Sequence, residues 1–156
     1  MNIVPAMNPF RFRMPREIIF ASGCVRQAAE KAAALGAKRP LFITGASMAK
    51  SALLGELMDS MRALGMVPGH WGEVQPEPPV ALLDKGVKFI IDGGYDCIIA
   101  FGGGSSMDFA KMAAVMAKDR ALNVADVIGS EKVPAKGLPT IMIPTTAGSG
   151  SEVSAV

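Results

Sequence analysis

A chain of 156 residues, half of them apolar and 19% charged, carries enough material for the core of one ordinary domain. Its formal charge of +2 comes from basic residues that are scattered, apart from Arg11, Arg13 and Arg16, so no field suited to a nucleic-acid backbone forms and nucleic acid is excluded as the expected partner. The longest apolar stretches, such as Cys97 to Phe101, fall far short of the roughly 20 residues of a spanning helix, and Met1 to Pro9 lacks the continuous apolar run of a signal peptide. A soluble, cytoplasmic protein without a membrane partner is the expectation.

Arg11 to Phe20 alternates and reads as a strand that could pair with another subunit along an exposed edge. Val25 to Leu35 has helical periodicity and ends at Gly36. Pro40-Leu-Phe-Ile-Thr44, bounded by Pro40 and Gly45, reads as a buried parallel strand. From Ser47 to Leu64, apolar residues at Leu53, Leu54, Leu57, Met58, Met61 and Leu64 make one helical stripe, closed by Gly65. Met66 to Trp71 is a weaker strand, interrupted by Pro68 and Gly69, and Gln75-Pro-Glu-Pro-Pro79 is an extended loop. Leu83, Val87, Ile90 and Ile91 mark a helix closed by Gly93-Gly94. Asp96 to Phe101 is the clearest strand, followed by three glycines and a helix from Ser105 to Lys118. A last buried strand spans Thr140 to Pro144. This alternation predicts an α/β fold with a Rossmann-like parallel sheet and helices on both faces, the whole of 1–156 forming one domain.

Cys24 and Cys97 lie in different segments without further ligands at zinc-site spacing, and both read as small buried hydrophobes. His70, the single histidine, reads as a surface or packed ring rather than a ligand.

Ligands of open α/β sheets sit where strand ends lead into helix N-termini. Three such loops have unusual composition. In Phe101-Gly-Gly-Gly-Ser-Ser-Met-Asp-Phe-Ala-Lys111, consecutive glycines let a phosphate approach the backbone, where free amides and the helix dipole would hold it; the alternative is a merely tight turn. Pro144-Thr-Thr-Ala-Gly-Ser-Gly-Ser-Glu152 sets small hydroxyls among glycines, and its alternative is a flexible polar loop. The third loop is Thr44-Gly45-Ala46-Ser47.

Gly-Gly-Gly-Ser-x-x-Asp-x-x-Lys at 102 to 111, with Pro-Thr-Thr-Ala-Gly-Ser-Gly-Ser-Glu-Val-Ser at 144 to 154, resembles the paired signature of the iron-containing, or group III, alcohol dehydrogenases. The resemblance covers essentially the whole chain. It implies a cofactor-binding α/β domain of the dehydroquinate synthase-like type, followed by an all-helical domain that is missing here, with catalysis in the cleft between them. It implies that Gly103, Gly104 and Ser105 form the pyrophosphate turn, that Thr145, Thr146 and Ser149 line the cofactor site, and that Asp108 stands near the cleft in a supporting role. The family's Pro-Asn-Pro is Pro76-Glu77-Pro78 here.

Relatives that prefer NAD usually end the first strand in an aspartate on the adenosine ribose. Gly45 stands there instead, and Ser47 with Lys50 can meet a 2′-phosphate, so NADP(H) is expected over NAD(H). The family's divalent metal, Fe2+ or Zn2+, is held by one aspartate and three histidines of the helical domain. One histidine cannot reproduce that set, so the chain is expected to carry no metal ligand and no catalytic residue, to be truncated, and to lack turnover alone. The implied substrate is a small alcohol or aldehyde, and the implied assembly a homo-oligomer. An apolar face left uncovered by the missing domain predicts self-association or marginal stability. The alternatives are a glycerol dehydrogenase or maleylacetate reductase relative, which Ser105 and Asp108 disfavour, and a non-catalytic nucleotide- or sugar-phosphate-binding module.

Overall fold

A computed structural model describes residues 14–124 and 136–154. Four strands, β1 (Pro40–Gly45), β2 (Gly69–Val74), β3 (Cys97–Gly102) and β4 (Thr140–Pro144), form one sheet in the order β2-β1-β3-β4, every neighbouring pair parallel. The helices are α1 (Ala28–Ala34), α2 (Ala52–Ala63), α3 (Val80–Asp92) and α4 (Gly104–Lys118). This is the parallel α/β architecture that the alternating pattern predicts.

The two central strands decide where the helices go. Successive side chains of a strand point to opposite faces, and β1 and β3 are apolar at every step from Leu41 to Ile43 and from Cys97 to Phe101. Leu41, Ile43, Ile98 and Ala100 therefore meet Leu83 and Ile90 of α3 and Met107, Ala110 and Ala113 of α4. Phe42, Cys97, Ile99 and Phe101 meet Ala28 and Ala32 of α1 and Leu54, Leu57 and Met61 of α2 on the other face. Right-handed crossovers give the same division, because the chain leaves β1 towards β2 and leaves β3 in the opposite sense, towards β4. Beyond the carboxyl ends of β1 and β3, where the winding reverses, is where open α/β sheets bind their ligands.

Several boundaries differ from the expected ones. The second strand is Gly69–Val74 rather than Met66 to Trp71, since Pro68 has no amide for the ladder and Met66 instead returns its amide to Met61, 3.1 Å away, at the end of α2. The helix expected from Ser47 is a short 3-10 turn, Met48–Lys50, separated from α2 by extended backbone at Ser51. The helix expected from Val25 likewise opens as a 3-10 turn, Cys24–Gln27, before α1. β4 is an edge strand whose Ile141, Met142 and Ile143 are only half-buried, not the buried strand expected. Of the stretch Arg11 to Phe20, residues 11–13 lie outside the described residues, and 14–20 form no strand within the chain; Phe20 is 99% exposed.

The two cysteines part company. Cys97 is fully buried on β3, and desolvation, with the nearby Asp96 carboxylate, pushes its thiol up to about 12. Cys24 is half-buried at the surface turn before α1, against the expectation that both are core residues. Thiolate is the reactive form, so a maleimide at neutral pH is expected to label one thiol of the native chain, at Cys24, and the second only in denaturant. Peptide mapping that found Cys97 labelled natively would contradict this burial.

Candidate functional site

The site grows from the end of β3. Gly103 is the N-cap of α4, with φ −82° and ψ −171°, and no side chain caps the helix. Its carbonyl receives the amides of Ser106 and Met107, each at 3.1 Å, which leaves the amides of Gly104 and Ser105 without an intrahelical carbonyl partner. None of Gly102, Gly103 and Gly104 has a left-handed φ, so the glycines are there for space rather than backbone freedom. A Cβ at Gly102 would stand 2.6 Å from Ser106 Oγ, one at Gly103 3.2 Å from Thr146 Oγ1, and one at Gly104 3.1 Å from Ser149 Cβ and 3.3 Å from Ser151 Oγ.

Those contacts show that the glycine turn and the threonine-serine loop lie against each other. Thr145 donates its amide to Gly102 O at 2.9 Å, starting the loop beside the turn. Ser151 Oγ donates to Asp108 Oδ2 at 3.2 Å, and Lys111 Nζ reaches Ser154 O at 2.7 Å and Ser154 Oγ at 2.8 Å, fastening its far end to α4. Between these ties Thr145, Thr146 and Ser149 are exposed, with Ser149 Oγ accepting the Ser151 amide at 3.4 Å. Ser105 and Asp108 are likewise exposed on the first two turns of α4.

Gly45 ends β1, which neighbours β3. A Cβ there would lie 3.2 Å from Val74 O and 3.9 Å from Ser106 Oγ, which places the end of β1 beside the start of α4. Ser47 stands exposed on the 3-10 turn beyond, sharing this end of the sheet with the glycine turn. So Gly45, Gly103, Gly104, Thr145, Thr146 and Ser149 converge, Asp108 joins through Ser151, and Ser47 belongs by sheet order alone.

Sequence reasoning did not single out the polar groups buried behind this surface. Among the described residues they are Thr44, Ser106, Lys111 and Ser151, all at the carboxyl end of the sheet or on the elements that leave it. Buried polar groups need partners. Thr44 Oγ1 has one in His70 Nε2, 2.9 Å away, an imidazole whose burial holds its pKa below the ordinary value. The signal available for Lys111 was its spacing from Asp108, three residues along one helix face.

The sequence pattern of the iron-containing alcohol dehydrogenases matches residues 15–156. The chain belongs to that family. It is 40% identical over 135 residues to long-chain-alcohol dehydrogenase 1 of Geobacillus thermodenitrificans, covering 85% of this chain and 34% of the relative. The NAD-dependent methanol dehydrogenase of Bacillus methanolicus is 28% identical over 145 residues, 93% of this chain and 38% of the relative. Among solved structures, sulfoacetaldehyde reductase from Bifidobacterium kashiwanohense, in complex with NAD+, superposes with a TM-score of 0.82 at 31% identity, over 95% of this chain and 39% of that one. The chain thus spans between a third and two fifths of the length of these relatives. No described helix is long and apolar enough to cross a membrane.

The metal in the family's name does not fit the residues here: among those described, no three of His, Cys, Asp or Glu are grouped to hold an ion, and His70 is engaged with Thr44. A dinucleotide does fit, because the glycine positions keep open a cradle that any Cβ would crowd, at uncapped helix amides that favour an anion.

Proposed function

We propose that this chain is the cofactor-holding part of a metal-dependent alcohol dehydrogenase that moves hydride between a small alcohol or aldehyde and a nicotinamide dinucleotide. The observation that carries the reading is the closure of Thr146 and Ser149 over Gly103 and Gly104 at the uncapped start of α4. Gly103, Gly104 and Ser105 would receive the pyrophosphate on their backbone. Thr145, Thr146 and Ser149 would bond the cofactor from above, and Asp108 would brace their loop through Ser151. When bound, the nicotinamide supplies the hydride acceptor, and this chain orients it. The divalent metal, Fe2+ or Zn2+, would be held by residues other than these, and no catalytic residue is assigned to this chain. The assembly would be a homo-oligomer in the cytoplasm.

NADP(H) is the proposed cofactor. A carboxylate at position 45 would repel a 2′-phosphate; Gly45 carries none, and with Val74 O behind it has little room for one. Ser47 can donate to the phosphate, and Lys50 is exposed one turn away. Titrating NADPH and NADH by fluorescence is expected to show both bound, NADPH at least about fivefold more tightly, one hydrogen bond's worth from Ser47 to the 2′-phosphate. Equal affinities, or tighter NADH, would remove the NADP(H) assignment; no binding of either would remove the dinucleotide site.

A further inference from the structure

The loop that faces the glycine turn has little to hold it. Residues 145–149 are exposed, and Gly148 and Gly150 adopt left-handed φ of 101° and 68°. Its start is tied by Thr145 to Gly102, and its end turns back on itself through the amides of Val153 and Ser154, both 3.0 Å from Gly150 O. What joins that end to the helix is Ser151 on Asp108 and Ser154 on Lys111. Lys111 is 7% exposed, and its ammonium grips one residue through both carbonyl and hydroxyl. Burying a cation is costly unless it is well bonded, and the two bonds to Ser154 supply partners that methionine could not engage.

We propose that Lys111 is a positioning residue for dinucleotide binding: by clamping Ser154 onto α4 it fixes the loop whose hydroxyls face the glycine turn. The inference rests on the dinucleotide reading above. Lys111 also has an electrostatic effect. The charged groups facing it are Asp108 from its own helix and Glu152 from the loop, and Glu152 Oε2 is buried with no hydrogen-bond partner among the described residues. Without the lysine, two carboxylates would stand uncompensated beside a diphosphate. Burial pulls the Lys111 ammonium below the usual lysine range, against the opposing pull of Asp108 and Glu152. The clamp therefore loses its charge at a lower pH than a surface lysine would, and dinucleotide affinity falls as pH rises through that lowered value.

The test is fluorescence titration of NADPH against the unaltered chain, Lys111→Met and Ser154→Ala, with hydrogen exchange of the 146–154 amides and circular dichroism on each. Lys111→Met is expected to weaken binding by at least about tenfold, as loss of a hydrogen-bonded charge does, to speed exchange in 146–154, and to flatten the alkaline fall in affinity. Ser154→Ala, on an exposed residue, is expected to weaken binding about two- to fivefold with the fold intact, one neutral hydrogen bond's worth. If the unaltered chain binds and both variants bind equally well with unchanged exchange, the positioning role is wrong while the dinucleotide reading stands. If the unaltered chain does not bind, both fall. Should Lys111→Met lose its dichroism, Ser154→Ala decides, and an unchanged affinity there overturns the proposal.

Discussion

Gly103→Asp is expected to cost the chain nearly all its affinity for a dinucleotide while leaving its stability unchanged or slightly raised. The φ of −82° and ψ of −171° at this position are open to any residue, and aspartate is among the best N-caps, whereas Gly103 provides no side-chain cap at all. Its carboxylate would accept the Ser105 amide and favour the positive end of the helix dipole, a gain of a few tenths of a kcal/mol at about the level known for such caps. Its Cβ would meet Thr146 Oγ1 at 3.2 Å, and Thr146, being exposed, can turn aside. That amide is one of the proposed phosphate donors, and the carboxylate would stand beside the others. A ligand diphosphate would lose that donor and face a like charge at about 4 Å, a repulsion of about 1 to 4 kcal/mol before the lost bond is counted. Binding is therefore expected to weaken by at least about a hundredfold. Gly103→Ala adds the Cβ without the charge and should lose far less. NADPH titration with a thermal melt checks both; a Gly103→Asp chain that binds as before would refute the pyrophosphate turn, and one that unfolds would refute the account of the cap.

How much of this was legible in the sequence depended on whether the deciding contact was local. β1 and β3 were read almost to the residue because a central parallel strand is apolar on both faces and advertises itself as a continuous run. β2 lies at the sheet edge, with His70 and Glu73 among its residues, so its pattern is weak, and Pro68, which reads as an interruption of a strand from Met66, in fact lies just before its start. The half-exposed faces of β4 were missed because a short apolar run reads the same at an edge as in the middle. The proline loop hides a further feature: Glu77 adopts φ 49°, a left-handed conformation that suits the asparagine of the family's Pro-Asn-Pro better than glutamate. In the candidate site, the glycine turn and hydroxyl loop were visible as motifs. Their closure was not, since Asp108 with Ser151 and Lys111 with Ser154 are each 43 residues apart. No periodicity reports a contact of that range. Composition said only that serines and threonines were present, and the fold made a surface of them.

Gly86→Ala should destabilise the chain, although a helix normally prefers alanine. Glycine within a helix costs about 0.5 to 1 kcal/mol against alanine, and Gly86 sits in the middle of α3. A Cβ there, however, would run into the six-membered ring of Trp71 and come within 2.8 Å of Phe109 Cζ. The indole cannot easily retreat: it is 5% exposed, with Phe109 at 4.9 Å between ring centroids and Phe89 stacked at 6.3 Å. Overpacking of a filled core costs about 1 to 3 kcal/mol, and a rigid indole belongs at the upper end, so a net loss of about 1 to 2 kcal/mol is expected after the helical gain. For a chain of this size that is a drop of about 2 to 8 °C in midpoint. Gly55→Ala is the control, because Gly55 lies inside α2 with nothing within 4 Å of its Cβ, and it should raise stability by about 0.5 to 1 kcal/mol. Denaturation followed by the fluorescence of Trp71, the single tryptophan, reports on both. If Gly86→Ala matched Gly55→Ala in sign, the packing of α3 on the sheet would be wrong. The same substitution presses on Phe109, the neighbour of Asp108 on α4, so weaker dinucleotide binding should accompany the lower midpoint even though Gly86 lies outside the site.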